Sequence, residues 1–391
     1  MKLIHSNIII SAYLIFVFLI STLLNVSYVA TYIAIPLTFL IFKIGDFYNN
    51  KNVGNKEYNI LILFLLWSSF VSIFANNLDL AILTQRRLLI IVISIYPLIS
   101  YIKFNSNNIN FILLQLILYS IVISLSPLFL DAPQLDISYV DRDDLMLDAN
   151  SYGYYTFFAL MGIFLLYRNI SGRIKIFLLI LLVLYIPLAF KVQFTAASRG
   201  GFVVLIFAIF TGIISLNIND IKSIFKNLIM ILIVFIIAIV ITIQFTDSFV
   251  ESYLYSRFIL VETEDLNRQL HVIEATKVGL DNILLGVGGG NYSVQPRSFE
   301  NDVFSHNGYL ESFANYGLVG LILYSSLVLF YLNKIIRQYK KNKSDVGVLL
   351  AHFVFLVGFV IYNTLYVPYL TIEFMVTFFI FSSIFDARYR K

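Results

Sequence analysis

The chain contains no cysteine, and only 13% of its 391 residues are charged. The absence of cysteine excludes structural disulfides and thiolate metal sites. Histidine is scarce as well, with four in the whole chain. Hydrophobic residues make up 59% instead, which lies far from the composition of soluble globular domains. The composition therefore indicates an integral membrane protein.

Apolar runs of about 20 residues, long enough to cross a bilayer, recur along the whole chain. Only helices satisfy their own backbone groups in runs of this kind within lipid, so we expect an all-α, polytopic membrane protein. The pattern predicts about twelve transmembrane helices in a single integral-membrane domain, residues 1–391. The predicted spans are 8–25, 27–42, 59–75, 82–100, 109–129, 152–167, 176–192, 200–216, 226–245, 308–332, 346–364 and 368–385.

The distribution of Lys and Arg predicts the orientation of these spans. With both termini cytoplasmic, 18 of the 27 basic residues fall on the cytoplasmic side, as the positive-inside rule requires. The net charge of +4 is thus explained by topology and does not indicate nucleic-acid binding. The apolar run after Lys2 has no small-residue cleavage site behind it, so we interpret it as the first span.

The first of two predicted outer loops, residues 130–151, is acidic. It holds six aspartates, among them Asp141, Asp143 and Asp144, against the single arginine Arg142. Hard cations prefer several carboxylate oxygens, so a metal site is one interpretation. An acidic solvated loop that obeys the positive-inside rule is the other, and no strict ligand spacing favours the metal.

The second outer loop, residues 246–307, is the larger one and lies between predicted spans nine and ten. Residues at helical spacing from Leu266 to Leu285 predict an amphipathic helix at the membrane surface; they include Leu270, Ile273, Thr276, Lys277 and Leu280. Glycines at Gly286 and 288–290 predict a turn that ends the helix. A nucleotide-binding glycine motif is disfavoured, because no strand precedes it.

Arg199 is the first candidate functional residue, at the outer mouth of a predicted span. Ser198 is a plausible N-cap, so free N–H groups of the following helix point outward beside the arginine. This combination suits a phosphate or pyrophosphate, and Gly200 and Gly201 would let a headgroup approach the backbone. The alternative is an interfacial arginine that only anchors the helix.

Two further candidates lie in the second outer loop. Arg268 and His271 are one helical turn apart and would share a face, although an exposed arginine can also be a simple surface charge. His306 can accept a proton from a substrate hydroxyl near neutral pH, with Glu311 placed to orient it. The alternative is a histidine at the start of a helix that is capped by its neighbours.

Taken together, these segments resemble the bacterial O-antigen ligase and O-antigen polymerase superfamily. They occur in the family's order and spacing over residues 148–330. The segments that carry the resemblance are Ser198–Gly201, Arg268, Gly286–Gly288, His306–Glu311 and Gly317–Leu321, with Asp148-Ala149-Asn150 as a further element.

The resemblance implies a GT-C-like membrane glycosyltransferase that needs no metal or other cofactor. It would transfer a glycan from an undecaprenyl-pyrophosphate carrier at the periplasmic face of the inner membrane. Arg199 and Arg268 would hold the pyrophosphate, and His306 would serve the acceptor hydroxyl. The resemblance further implies substrate-binding roles for Ser198, Gly200, His271, Asn307, Tyr309 and Glu311.

These motifs do not identify the acceptor of the glycan. The Ser-Arg-Gly-Gly form favours an O-antigen polymerase, with a ligase that transfers glycan to lipid A–core as the alternative. Either enzyme is compatible with a partner protein that regulates the length of the polysaccharide chain. A transporter is a third interpretation, disfavoured because mid-span charges are few and the two halves of the chain show no repeat.

Overall fold

The computed structural model describes residues 10–15, 55–104, 109–129, 149–195, 198–216, 263–295, 305–341 and 345–389. Within these ranges every regular element is helical, which confirms the all-α fold class. The α-helices are α1 (Lys56–Ser72), α2 (Leu78–Phe104), α3 (Ile109–Leu125), α4 (Ala149–Asn169), α5 (Arg173–Thr195), α6 (Arg199–Leu216), α7 (Thr263–Asp281), α8 (Gly308–Lys341), α9 (Val346–Asn363) and α10 (Ile372–Arg388). Short 3₁₀ turns occupy Ser126–Leu128, Asn291–Val294 and Pro368–Leu370.

Several of these helices have the length and composition of membrane spans. Four segments are long and apolar enough to cross a bilayer: Ile109–Leu128, Arg173–Gln193, Gly308–Lys341 and Val346–Asn363. The chain is therefore a membrane protein. Helices coincide with nine of the predicted spans, whereas 27–42, 226–245 and most of 8–25 lie outside the described residues, so the total of twelve stays a prediction.

Much of both predicted outer loops also lies outside the described residues. This applies to 130–148 in the acidic loop, and to 246–262 and 296–304 in the larger one. Within the described ranges, no group of three or more His, Asp or Glu side chains could hold a metal ion. The acidic loop as a metal site thus stays untested.

Glycines bring the central helices into close contact around α4, which packs against α3, α6 and α9. A Cβ on Gly153 of α4 would lie 2.4 Å from the Cα of Gly201 of α6, so the two backbones touch. Gly358 of α9 makes room in the same way for the ring of Phe157, because a Cβ there would lie 2.2 Å from that ring. Small residues at helix crossings are the usual means of close helix packing in membranes.

Ion pairs join three helices at one end of the bundle. The Nζ atom of Lys334 in α8 lies 2.6 Å from Oε2 of Glu57 in α1 and 2.8 Å from the carboxylate of Asp386 in α10. Arg388 lies 3.4 Å from Asp345 in the same region. Burial raises the pKa of the Glu57 carboxyl, and the neighbouring Lys334 opposes that shift. These five residues define the ion-pair end of the molecule.

Helix α8 is broken at Gly317, whose φ of 69° and ψ of −168° only glycine adopts without strain. The break frees the carbonyls of Ala314 and Asn315 from their helical partners. Val287 N–H donates to the first at 2.9 Å, and Gly288 N–H donates to the second at 2.8 Å. The glycine turn after α7 therefore satisfies the backbone of the kink, as a buried helix break requires.

This interaction also explains where α7 ends. The sequence predicts a helix to Leu285, but α7 ends at Asp281. The carbonyl of Ile283 accepts a hydrogen bond from Leu318 N–H at 2.7 Å, beyond the kink. Because the backbone of 283–288 pairs with α8, it cannot continue α7 as a regular helix.

The apolar row predicted along α7 faces away from the bundle. Ile273 and Leu280 have exposed fractions of 61% and 60%, whereas His271, Ala275 and Val278 are buried. Helix α7 packs on α8 through this buried face, where Gly279 lies against the ring of Phe313. The large apolar side chains are thus left on the outer surface of the helix.

Candidate active site

The start of α6 carries Arg199 as its first residue. Gly201 N–H donates to Oγ of Ser198 at 3.0 Å, and Phe202 N–H donates to the Ser198 carbonyl at 2.9 Å. Ser198 is therefore the N-cap of α6, as its sequence position predicts. The Ser198 hydroxyl donates in turn to Oδ1 of Asn150 at the start of α4, over 3.1 Å.

Gly200 connects this helix start to the end of α9. A Cβ on Gly200 would lie 2.7 Å from Cδ1 of Leu365, so the glycine lets the leucine pack directly on the α6 backbone. Leu365 follows the last turn of α9, where Thr364 also lies. The first turn of α6 and the end of α9 thus form one continuous wall.

His306 lies in a tight turn before α8, with a φ of 55°. A left-handed conformation of a residue other than glycine costs about 1 kcal/mol or more and persists where neighbouring contacts enforce it. Here the Glu311 carboxylate accepts from both N–H and Oγ of Ser305, at 2.8 and 3.0 Å. Gly308 N–H donates to the Tyr366 carbonyl at 2.9 Å. Glu311 therefore fixes the turn that presents His306.

Asn307 and Tyr309 complete the entrance of α8. Oδ1 of Asn307 accepts from the N–H groups of Tyr309 and Leu310, both at 3.1 Å, so Asn307 caps the helix. The Tyr309 ring packs on Tyr324, with 5.4 Å between ring centroids. Both residues hold the local structure in which His306 lies.

A cavity of about 350 Å³ brings the loop arginine and the histidine together. Its walls come from one side of α7, from the His306 turn and from the end of α9. The lining residues are Arg268, Gln269, Val272, Ile273, His306, Thr364 and Leu365. A cavity of this size, mostly apolar with a few polar groups, is typical of small-ligand sites.

His271 lies behind this cavity rather than in its lining. It is buried, and its ring lies 6.0 Å from the ring of His306, centroid to centroid, in an edge-to-face arrangement. Its carbonyl accepts a hydrogen bond from the hydroxyl of Tyr292 at 2.9 Å. His271 thus supports the wall that carries His306.

Sequence reasoning missed several cavity residues. Gln269 is adjacent to Arg268, and this proximity was the available signal. Thr364 is the last residue of a predicted span and Leu365 follows it; neither belongs to a motif, so nothing in the local sequence distinguishes them. The predicted residues Arg268 and His306 share the cavity, and Arg199 begins the helix that packs on its Leu365 wall.

The helices and this cavity define a membrane protein with an arginine and a histidine on the wall of one pocket. Residues 185–325 match the family model described as O-Antigen ligase, which supports the resemblance of the chain to the O-antigen ligase and polymerase superfamily. The matched segment contains Arg199, Arg268 and His306. Members of the matched family are glycosyltransferase-like enzymes, which is consistent with an enzymatic role for this protein. No curated protein matches the chain.

Proposed function

We propose that this protein transfers glycans from an undecaprenyl-pyrophosphate carrier to an acceptor at the periplasmic face of the inner membrane. The observation that carries the proposal is that Arg268 and His306 line one cavity, although 38 positions separate them in the sequence. Leu365 joins that cavity to the α6 start with Arg199. The three residues most suited to pyrophosphate and hydroxyl chemistry therefore lie in one region.

The proposed reaction needs a base and charge compensation. The acceptor hydroxyl oxygen attacks the anomeric carbon of the donor sugar, and its proton passes to the His306 imidazole. The bond between that carbon and the pyrophosphate oxygen breaks, and the pyrophosphate leaves with the electron pair. Arg199 and Arg268 compensate the negative charge that develops on the departing pyrophosphate, since one guanidinium group can bind two phosphate oxygens at once.

The fold supports the orientation of the chain in the membrane. Glu57, Lys334 and Asp386, which the topology places on the cytoplasmic side, meet at the ion-pair end. Asn150 and Ser198, which it places on the outer side, meet where α4 and α6 begin. The other end of α4 reaches the ion-pair end, where Arg388 donates a hydrogen bond to Oδ1 of Asn169. We therefore place the cavity on the periplasmic side, with both termini in the cytoplasm.

The exposed face of α7 suits a helix that lies on the membrane surface. Ile273 and Leu280 of α7, and Leu284 in the turn after it, are large apolar residues more than half exposed, and Ile273 also lines the cavity. A row of this kind is stabilised by burial among lipid acyl chains. The cavity would then open next to the leaflet that holds the carrier lipid.

The proposed chemistry requires no metal ion or other cofactor. Departure of a pyrophosphate needs positive charge, and two arginines supply it in a partly dehydrated site. The acidic loop 130–151, the remaining candidate for a metal site, belongs largely to the part of the chain without described structure.

The acceptor distinguishes two forms of this function. We favour an O-antigen polymerase, which extends the glycan on the carrier, because of the Ser198–Gly201 sequence. The second form is a ligase that transfers the glycan to lipid A–core, and the match to the family model does not separate it from the first. A chain-length regulator fits the first form as a partner.

Purified protein in proteoliposomes, supplied with undecaprenyl-pyrophosphate-linked repeat units with and without lipid A–core, tests the proposal. A ladder of longer carrier-linked glycans without lipid A–core identifies a polymerase. Product that forms only with lipid A–core identifies a ligase. No new glycosidic bond under either condition would contradict the proposed function and favour a transporter.

A further inference from the structure

Asn150 lies outside the matched segment 185–325, yet it contacts the helix start that carries Arg199. The contact follows from how α4 and α6 cross. Gly153 and Gly201 touch at the crossing, and Asn150 and Ser198 each lie three residues before their glycine. Three residues are about one helical turn, so the two polar side chains meet on the same side of the crossing.

The hydrogen bonds at this point have a fixed direction. The Ser198 hydroxyl has one proton, which it donates to Oδ1 of Asn150, and its oxygen accepts from Gly201 N–H. Asn150 therefore fixes the rotamer of the Ser198 hydroxyl in which a lone pair of its oxygen faces the Gly201 N–H. Without this acceptor the hydroxyl can turn to other partners, and the cap of α6 is no longer held in one geometry.

The first turn of α6 is held on its other side by the cavity wall. Gly200 packs against Leu365, which lines the cavity with Arg268 and His306. A displacement of the α6 start thus changes where Arg199 lies relative to that wall. Misplacement of a reacting or stabilising group by about 1 Å can lower a rate by about 100-fold.

We propose that Asn150 is a positioning residue for Arg199, acting through the Ser198 cap. This inference rests on the proposed function, since it assigns Asn150 to the same transfer reaction. Asn150 itself need not touch the substrate. Its role is to fix the helix start from which the Arg199 guanidinium reaches the departing pyrophosphate.

The chain offers a matched control at the ion-pair end. Asn55 caps α1, and its Oδ1 accepts from Tyr58 N–H at 3.2 Å, three residues on, as Ser198 does from Gly201. The Asn55→Ala variant also loses a helix cap, but far from the cavity. We expect it to lower the unfolding temperature and to leave kcat unchanged.

The test measures kcat, KM for the undecaprenyl-pyrophosphate-linked donor and the unfolding temperature in proteoliposomes. We expect Asn150→Ala to lower kcat by about 10- to 100-fold with KM nearly unchanged. Ser198→Ala should act similarly, and Ser198→Thr should recover most of the lost kcat. The double variant N150A/S198A should lose no more than S198A alone, because both act through one hydrogen bond.

The outcomes separate this inference from the proposed function. Loss of transfer in Arg199→Lys, with kcat of Asn150→Ala equal to that of Asn55→Ala, would overturn the positioning role alone. Full transfer by Arg199→Lys would overturn the assignment of Arg199 and the positioning role with it. If Asn150→Ala is not recovered from the membrane, equal kcat values for Ser198→Ala and Ser198→Thr would overturn the positioning role.

Discussion

The two ends of the helix bundle use their cationic side chains differently. At the ion-pair end, Lys334 lies within 2.8 Å of carboxylates from two other helices. At the end that holds the candidate site, Arg268 lies on the wall of a cavity of about 350 Å³ together with His306. The first arrangement neutralises charge within the protein, and the second places it beside a volume that a ligand can occupy. The comparison distinguishes a cation that joins helices, Lys334, from one that lines a cavity, Arg268.

The two ends also differ in what holds them together. Charge pairs between side chains join α1, α8 and α10 at the ion-pair end. Around the candidate site the backbone itself is shaped, by the left-handed conformation of His306 and the kink at Gly317. Strained backbone that surrounding contacts enforce is common at functional sites. The comparison predicts that substitutions at the ion-pair end change stability and leave activity unchanged, whereas substitutions of the candidate site residues lower activity.

The largest expected effect is that of Arg268→Ala on transfer. We expect the transfer rate to fall by at least about 100-fold, because a charged donor at the departing pyrophosphate is removed. The amount of protein inserted in the membrane should be normal. Lys277→Ala is the control, since Lys277 lies on the same helix with its side chain 66% exposed. Equal losses in both variants would contradict a specific role for Arg268.

Arg199→Lys should lower the transfer rate by about 10- to 100-fold. Lysine keeps the charge but loses the planar pair of donors that matches two phosphate oxygens. Arg173→Lys is a matched control, because Arg173 is likewise the first residue of a helix, α5. Initial rates with saturating donor measure the effect. Wild-type rates for Arg199→Lys would indicate that Arg199 only anchors α6.

Gly317→Ala should reduce both stability and transfer. An added Cβ would lie 2.3 Å from the Leu284 carbonyl oxygen, in a backbone conformation that alanine rarely adopts. We expect a loss of about 3 kcal/mol in unfolding free energy and a displaced α7, which carries Arg268. Gly172→Ala separates the two causes, since Gly172 has a φ of 77° with open space around it. Equal unfolding temperatures for the two variants would argue against the kink as a structural joint.

Lys334→Met should destabilise the protein by about 3 kcal/mol at neutral pH, with kcat unchanged. Burial raises the pKa of Glu57, and removal of Lys334 takes away the largest influence that opposes this rise. A raised folded-state pKa favours folding at low pH, and this contribution is lost as the pH rises through that pKa. The variant should therefore approach wild-type stability at acidic pH. Thermal unfolding over a pH series, with Lys340→Met as the exposed control, measures this difference.

The smallest expected effect is that of a chelator, which should leave transfer unchanged. The arginines supply the positive charge that the reaction needs. The transfer assay in chelator, with and without added divalent cation, measures this directly. Activity lost in chelator and restored by the cation would instead support a metal site around Asp141–Asp144.

Local features of the site could be predicted from sequence, whereas long-range contacts could not. The Ser198 cap and the glycine turn depend on a few neighbouring residues, and both occur as expected. The early end of α7 could not be predicted, because it depends on backbone pairing with a kink in α8. The ion pair of Lys334 with Glu57 joins residues 277 positions apart, and no local pattern indicates it.

Single-turnover transfer by His306→Gln and His306→Ala, with donor bound in proteoliposomes, tests the central claim most directly. Glutamine can still donate and accept hydrogen bonds, but it cannot take a proton as an imidazole does. We predict that both variants bind donor and form no new glycosidic bond within the time in which the wild-type protein completes one turnover. Transfer by His306→Ala at the wild-type rate would contradict the assignment of this cavity as the active site.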